Sequence, residues 1–256
     1  MPDFNNRKIA LVTGGTGGIG TAICERLYQD GFIVIANYRS FTKALRWREL
    51  AKQWKKDRMR MGIDVHIYQG DVANYTSMAM MINRVKEDIG PIDVLVNNAG
   101  ITRDSTFVRM NLFQWQEVIE TNLTSLFICT KLVIDDMIKS GWGRIINISS
   151  VNGQKGQFGQ TNYSAAKSGM YGFTKSLAIE TAKKGITVNC ISPGYTATEM
   201  VMAVKEEIRN KIISEIPLNR LAEPAEIASA VSFLASDQSS YITGANIPLN
   251  GGQHMY

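Results

Sequence analysis

Cysteine is scarce. The 256 residues hold three, Cys24, Cys129 and Cys190, too far apart for a CxxC or other ligand spacing. That pattern argues against a disulfide framework and a zinc site, and fits a reducing compartment. No stretch approaches the roughly 18 consecutive apolar residues of a membrane span. The opening MPDFNNRK is short and polar and runs straight into an apolar strand, without the apolar core and small-residue cleavage site of a secretory signal. The expected location is the cytoplasm. Internal repeats, low-complexity tracts and linker-like shifts of composition are missing as well. One domain over residues 1–256 is therefore expected, although length alone permits two.

What is present suits a soluble globular protein: 45% hydrophobic and 20% charged residues, enough apolar material for a sizeable core. The net charge of +5 comes largely from residues 43–60, where Lys43, Arg46, Arg48, Lys52, Lys55, Lys56, Arg58 and Arg60 face two acids. These read first as a solvated helix face. Nucleic acid is the weaker alternative, because no recognition module or aromatic-basic stacking pattern accompanies the charge. An anionic cofactor or substrate stays open.

Short β-branched runs alternate with longer helical stretches. Ile9–Thr13, Ile33–Asn37, Val65–Gln69, Val94–Asn97, Arg144–Ser149, Thr187–Ile191 and Ala245–Leu249 read as strands. Nearly continuous apolar strands separated by a dozen or more helical residues imply a parallel sheet covered on both faces. The expected fold is α/β, a single-domain, Rossmann-like, doubly wound sheet of seven strands. Residues 194–222 break the regularity and read as a lid.

Directly after the first strand comes Thr13-Gly14-Gly15-Thr16-Gly17-Gly18-Ile19-Gly20, and a helical pattern follows. Gly14 permits the sharp turn, Gly18 a close approach of backbone to pyrophosphate, and Gly20 the packing of helix on strand. Helix N-terminal amides would then face the phosphates. Glycines also serve ordinary turns, but the position between strand and helix points to a dinucleotide. At the end of the second strand an acid would bond a ribose 2′-hydroxyl and a cation a 2′-phosphate. The segment there is Asn37-Tyr38-Arg39-Ser40, without Asp or Glu. Arg39 can make charge-assisted bonds to phosphate, so NADPH is preferred over NADH. Gly70-Asp71-Val72, after the third strand, could hold the adenine.

Ser150 ends a buried strand thirteen residues before Tyr163, and Tyr163-Ser164-Ala165-Ala166-Lys167 opens a helix. A spacing of four puts Tyr163 and Lys167 on one face, a turn apart. A tyrosine with a reference pKa near 10 is a poor acid–base group at neutral pH. A nearby ammonium and an oxidised nicotinamide would favour its phenolate. A serine hydroxyl can position a carbonyl and stabilise its developing oxyanion.

The glycine-rich TGGTGGIG, Asn97-Asn98-Ala99-Gly100, Asn122, Ser150, YSAAK and Pro193-Gly194 occur in the order and spacing of short-chain dehydrogenases/reductases, which the chain resembles over nearly its whole length. The resemblance implies that Tyr163 is the general acid in reduction, Lys167 its tuner and a ribose ligand, Ser150 the carbonyl positioner and Asn122 a holder of relay water. It also implies that Asn98, Ala99, Gly100 and Ile101 support the cofactor and that Pro193 and Gly194 run beside the nicotinamide. Within that family, SVNGQKGQFGQTNYSAAK, NNAGITRD, NLTSLF, GWGRIINISS, ISPGY and NGGQHM resemble acetoacetyl-CoA reductases of polyhydroxybutyrate synthesis. This implies reduction of acetoacetyl-CoA to (R)-3-hydroxybutyryl-CoA with the pro-S hydride of NADPH. Gln157 and Gln160 would then bond keto and thioester oxygens, Phe158 would cover a small acyl group, and Asp104 and Tyr195 would flank the entrance. Each of these could equally be a polar loop residue facing water. A 3-oxoacyl-carrier-protein reductase and a non-catalytic nucleotide-sensing protein are the rival readings. The family also implies a homotetramer, built through helices at about 111–139 and 161–183 and the last strand.

Overall fold

The computed structural model describes residues 7–40, 45, 47–51 and 65–255. Seven strands form one sheet in the order β3-β2-β1-β4-β5-β6-β7. They are β1 (Ile9–Val12), β2 (Ile33–Tyr38), β3 (Val65–Gln69), β4 (Val94–Asn97), β5 (Gly143–Ile148), β6 (Ile186–Pro193) and β7 (Asn246–Leu249). Every neighbouring pair is parallel. The expected strands are all found. The main difference is at β6, which runs two residues further than expected, through Ser192 and Pro193, because β7 pairs with it to that point.

Alternation along the strands sends side chains to two cores. On one face Ala10, Val12, Val94 and Val96 meet Ile23 and Leu27 of α1 (Gly18–Gln29) and Ile227, Val231 and Leu234 of the helix Pro224–Ala235. On the other, Ile9, Leu11 and Leu95 meet α2 (Tyr75–Asp88) through Met78, Ile82 and Val85. There too lies α4 (Ser125–Ser140), contributing Cys129, Val133 and Met137, and before it in the chain comes α3 (Leu112–Ile119), which packs on the later helix Thr161–Thr181. After β5 come the short α5 (Val151–Lys155) and the long α6 (Thr161–Thr181). The 194–222 segment holds α7 (Glu199–Met202) and α8 (Glu206–Ser214), and Pro224–Ala235 is α9. All three cysteines are free and buried. No described helix is long and apolar enough to cross a membrane. Of the basic stretch 43–60, only residues 45 and 47–51 are described. There the chain is helical and Arg48 is exposed; the other basic residues of the stretch lie outside the described residues.

Strand order reverses between β1 and β4, so the loops leaving their C-terminal ends diverge and open a crevice, the place where sheets of this class take ligands. Below the crevice the core is polar. Asn97 of β4 donates Nδ2 to Asn147 Oδ1 of β5 at 2.9 Å, and Asn147 donates to Thr174 Oγ1 of α6 at 2.9 Å. All three side chains are buried. This ladder fixes the register of two strands and one helix at a single level. Asn147→Ala would strand the Asn97 amide and the Thr174 hydroxyl without partners, at about 1–3 kcal/mol for each buried group left unsatisfied. It is expected to lower unfolding stability by at least about 2 kcal/mol in urea titration.

Candidate active site

The loop after β1 is shaped by what it must touch. Gly14 has φ +60°, a left-handed turn, with Ala99 Cα only 3.0 Å from where a Cβ would stand. Gly15 lies against β2, a Cβ there falling 2.9 Å from Ala36 Cα. Gly20 packs on the turn itself, against the Gly14 carbonyl and Asn98 Nδ2, and not on a strand as expected; the glycine that meets a strand is Gly15. Over Gly18 stands Thr198, its Cγ2 3.0 Å from the place a Cβ would take. The segment following Gly194 thus reaches back across the mouth of the loop.

Three polar side chains clamp this loop. Thr13 Oγ1 donates to the Val96 carbonyl and accepts from Asn98 N at 3.0 Å and Ala99 N at 3.1 Å. Asn98 Nδ2 returns bonds to the carbonyls of Thr13 and Gly14. Asn37 Oδ1 accepts from Gly14 N, while its Nδ2 donates to the Gly70 carbonyl at 2.9 Å. Asn98 therefore supports a bound group through the loop, its amide being spent on backbone. Helix α1 begins under Gly17, which has no side chain to cap it, and its first turn carries no acid. Its leading amides, with Thr16 and Ile19 beside them, form an anion cradle. Tyr38 is buried, whereas Arg39 and Ser40 are exposed at the C-terminal end of β2. Asp71 Oδ1 accepts from Ala73 N, an Asx turn that holds the Gly70–Val72 corner. The residues present fit a dinucleotide.

Across the crevice, Ser150 caps α5, its Oγ accepting from Asn152 N at 3.1 Å. Tyr163 lies in the first turn of α6 and hydrogen-bonds Ser150. Lys167, only 3% exposed, follows one turn later, with its Nζ 5.6 Å from the centroid of the Tyr163 ring. Nζ donates to the Ile148 carbonyl at 2.7 Å. Burial pulls the Lys167 pKa down to about 8 and pushes that of Tyr163 up to about 12. For Tyr163 the Ser150 bond works downward, and the negative charge of Asp104 works upward with the phenolates of Tyr171 and Tyr195. The lowering expected from the ammonium together with an oxidised nicotinamide belongs to the cofactor-bound site. The amine is bonded to the end of β5, and removal of a phenolate from water dominates.

Asn122 lies in a π-helical turn, Glu120–Thr124, between α3 and α4. Its Oδ1 accepts from Ile101 N at 2.8 Å and its Nδ2 donates to the Ile101 carbonyl at 2.9 Å. Gly100 fits between: a Cβ there would lie 3.3 Å from Asn122 Oδ1 and 3.5 Å from Lys167 Nζ. Such π-turns concentrate at functional sites. Pro193 ends β6 and Gly194 follows it, so close to Asn250 that a Cβ would fall 2.9 Å from its Cα.

Around Tyr163, Gln160 Nε2 donates to Asp104 Oδ2 at 2.9 Å and Gln160 Oε1 accepts from Asn152 Nδ2 at 3.0 Å. Asn152 also hydrogen-bonds Tyr195. Gln160, Asp104 and Tyr195 are thus joined beside the tyrosine. Gln157 is not part of this group, since its Oε1 accepts from Lys155 Nζ at 3.3 Å on the surface. Nor does Phe158 cover anything here: it is 86% exposed. Sequence reasoning missed Asn37, Asn152, Tyr171 and Thr198. Asn37 carried a signal, a polar residue inside an apolar strand run.

A family model for short chain dehydrogenase matches residues 8–209. The chain is 54% identical to an acetoacetyl-CoA reductase of Allochromatium vinosum, over 97% of this chain and 99% of that protein. It is 52% identical to an acetoacetyl-CoA reductase of Cupriavidus necator over the same shares. Identity to a 3-oxoacyl-[acyl-carrier-protein] reductase of Vibrio cholerae is 44%, over 97% of this chain and 98% of that protein. With a matching model across most of its length and Tyr163, Lys167 and Ser150 assembled beside a dinucleotide cradle, the chain belongs to the short-chain dehydrogenase family and is an oxidoreductase that uses a nicotinamide cofactor.

Proposed function

We propose that the protein reduces the 3-oxo group of acetoacetyl-CoA to (R)-3-hydroxybutyryl-CoA with NADPH. The observation that carries the chemistry is the placing of Tyr163 in the first turn of α6 beside Ser150, which works to lower its pKa, with Lys167 buried beneath the ring. The substrate rests on relatives named acetoacetyl-CoA reductase at 52–54% identity over nearly the whole chain. When bound, the nicotinamide supplies the hydride. Tyr163, protonated across the neutral range at a pKa of about 12, gives a proton to the carbonyl oxygen. Ser150 holds that oxygen and shares the charge developing on it. Lys167 and Asn122, meeting over Gly100, are placed to hold ribose hydroxyls and a water of proton resupply.

Thr13 through Gly20, Asn98 to Ile101, Gly70 to Val72, Pro193 and Gly194 cradle the cofactor, and Arg39 with Tyr38 and Ser40 takes the 2′-phosphate. Asp104, Gln160 and Tyr195 border the acyl site, and residues 194–222 serve as its lid. A homotetramer is supported by the apolar side chains exposed on the outer helices, Leu112, Phe113, Phe127 and Ile179. A cytoplasmic role in polyhydroxybutyrate synthesis goes with this substrate.

The carrier-protein reductase at 44% identity supports a second reading, in which the same chemistry serves a protein-bound acyl group. The kcat/KM for acetoacetyl-CoA is expected to exceed that for acetoacetyl carrier protein; a large preference for the carrier protein would reverse the assignment. Tyr163→Phe is expected to bind NADPH unchanged by fluorescence titration and to lose about 10²–10⁴-fold in turnover, the usual worth of a general acid. Arg39→Ala is expected to raise KM for NADPH by about 10–100-fold, as for one charge-assisted bond lost, and to leave KM for NADH nearly unchanged.

A further inference from the structure

Tyr163 and Lys167 continue at the same spacing of four to Tyr171, the next residue along that face of α6. Its hydroxyl is a junction. It donates to the Ser150 carbonyl at 3.1 Å, lies 3.0 Å from Ser192 Oγ, and is 3.1 Å from Ser149 Oγ. Ser192 in turn donates to Asn246 Oδ1 of β7 at 2.7 Å, and Ser149 donates to the Lys167 carbonyl at 2.8 Å. One phenol oxygen thus ties the end of β5, the end of β6 and helix α6. α5 is seated on the same spot: a Cβ at Gly153 would lie 2.9 Å from the Tyr171 hydroxyl and 2.9 Å from Lys167 Cβ. The Ser168 hydroxyl adds a bond to the Gly153 carbonyl at 2.5 Å.

The two strand ends so joined bear on the reaction. Ser150 is held at its own carbonyl, a few bonds from the hydroxyl that touches Tyr163. Ser192 precedes Pro193-Gly194, the wall on the other side of the crevice. Sub-ångström placement of such groups is worth large factors in rate.

We propose that Tyr171 is a positioning residue of the reduction, its hydroxyl setting the Ser150 backbone and the end of β6 so that the Ser150 hydroxyl stays on Tyr163. The role rests on the functional reading above, in which Ser150 and Tyr163 act on the carbonyl.

The test uses the full-length chain with Tyr171→Phe, Ser192→Ala and the double variant, each assayed for melting temperature, NADPH affinity, kcat for acetoacetyl-CoA reduction and the pH profile of (R)-3-hydroxybutyryl-CoA oxidation. Oxidation needs the Tyr163 phenolate, so it rises with pH through the pKa of that group. Asp104 faces this phenolate with like charge, Tyr195 and Tyr171 do so only when ionised, Lys167 lies against its ring, and Ser150 bonds it. A Ser150 that loses its hold on the phenolate moves the midpoint to higher pH. For Tyr171→Phe, kcat is expected to fall about tenfold and the midpoint to rise by about half a pH unit, the worth of one modest hydrogen bond. NADPH affinity should stay within about twofold, since the cradle is untouched. Ser192→Ala should shift both quantities the same way by less, and the double variant should be no worse than Tyr171→Phe, the mark of one coupled unit.

An unchanged kcat and midpoint in a variant that only melts earlier would overturn the positioning role, as would a shift to lower pH. A wild-type chain that fails to turn over acetoacetyl-CoA would sink the functional reading and this one together. If the wild type is active and Tyr171→Phe equals it, only the positioning role fails.

Discussion

The bond from the Lys167 ammonium to the Ile148 carbonyl is the constraint on which the site depends. A buried ammonium costs several kcal/mol unless it is well paired, and a hydrogen bond from a charged donor returns about 1.5–3 kcal/mol. The carbonyl that accepts it is the last of β5, so the lysine holds the helix and the strand end at one height. Because Tyr163 is a turn before Lys167 and Ser150 two residues after Ile148, the same bond brings the two hydroxyls within reach of each other. Burial that makes the lysine easier to deprotonate also raises the tyrosine, which keeps it a proton donor throughout the neutral range.

The dinucleotide cradle is built by a different logic. No charged side chain shapes the loop after β1; asparagines and a threonine do, by using their amides and hydroxyl on backbone groups. Asn37, Asn98 and Thr13 tie three strand ends, so the glycines can be stripped of side chains without the loop losing its form. Among the described residues, positive charge enters at the rim, through exposed Arg39. The floor beneath both halves of the site is the Asn97–Asn147–Thr174 ladder, a buried polar seam.

Fold and catalytic core were legible in the sequence because both rest on local regularities. Seven β-branched runs mark strands, and a spacing of four on a helix brings Tyr163 over Lys167. Ser150 and the glycine loop follow from strand-end positions. How the lysine is held escaped the sequence because its partner is a backbone carbonyl nineteen residues away, and spacing says nothing of burial. Tyr171, Asn152 and Thr198 were missed for a related reason: their partners are brought beside them by the fold and not by a helical spacing. Gln157 and Phe158, read from the segment before α6, stand in this structure on an exposed turn, latched at Gly159 to Ser105. Polar composition marks such a loop without fixing which way its side chains face.

The coupling of cofactor to carbonyl can be measured directly. Purified protein mixed with NADPH and acetoacetyl-CoA should consume one NADPH, followed by its absorbance, for each (R)-3-hydroxybutyryl-CoA formed, resolved by chiral chromatography. NADPH that stays constant in the presence of acetoacetyl-CoA, or a product of the opposite hand, would contradict it.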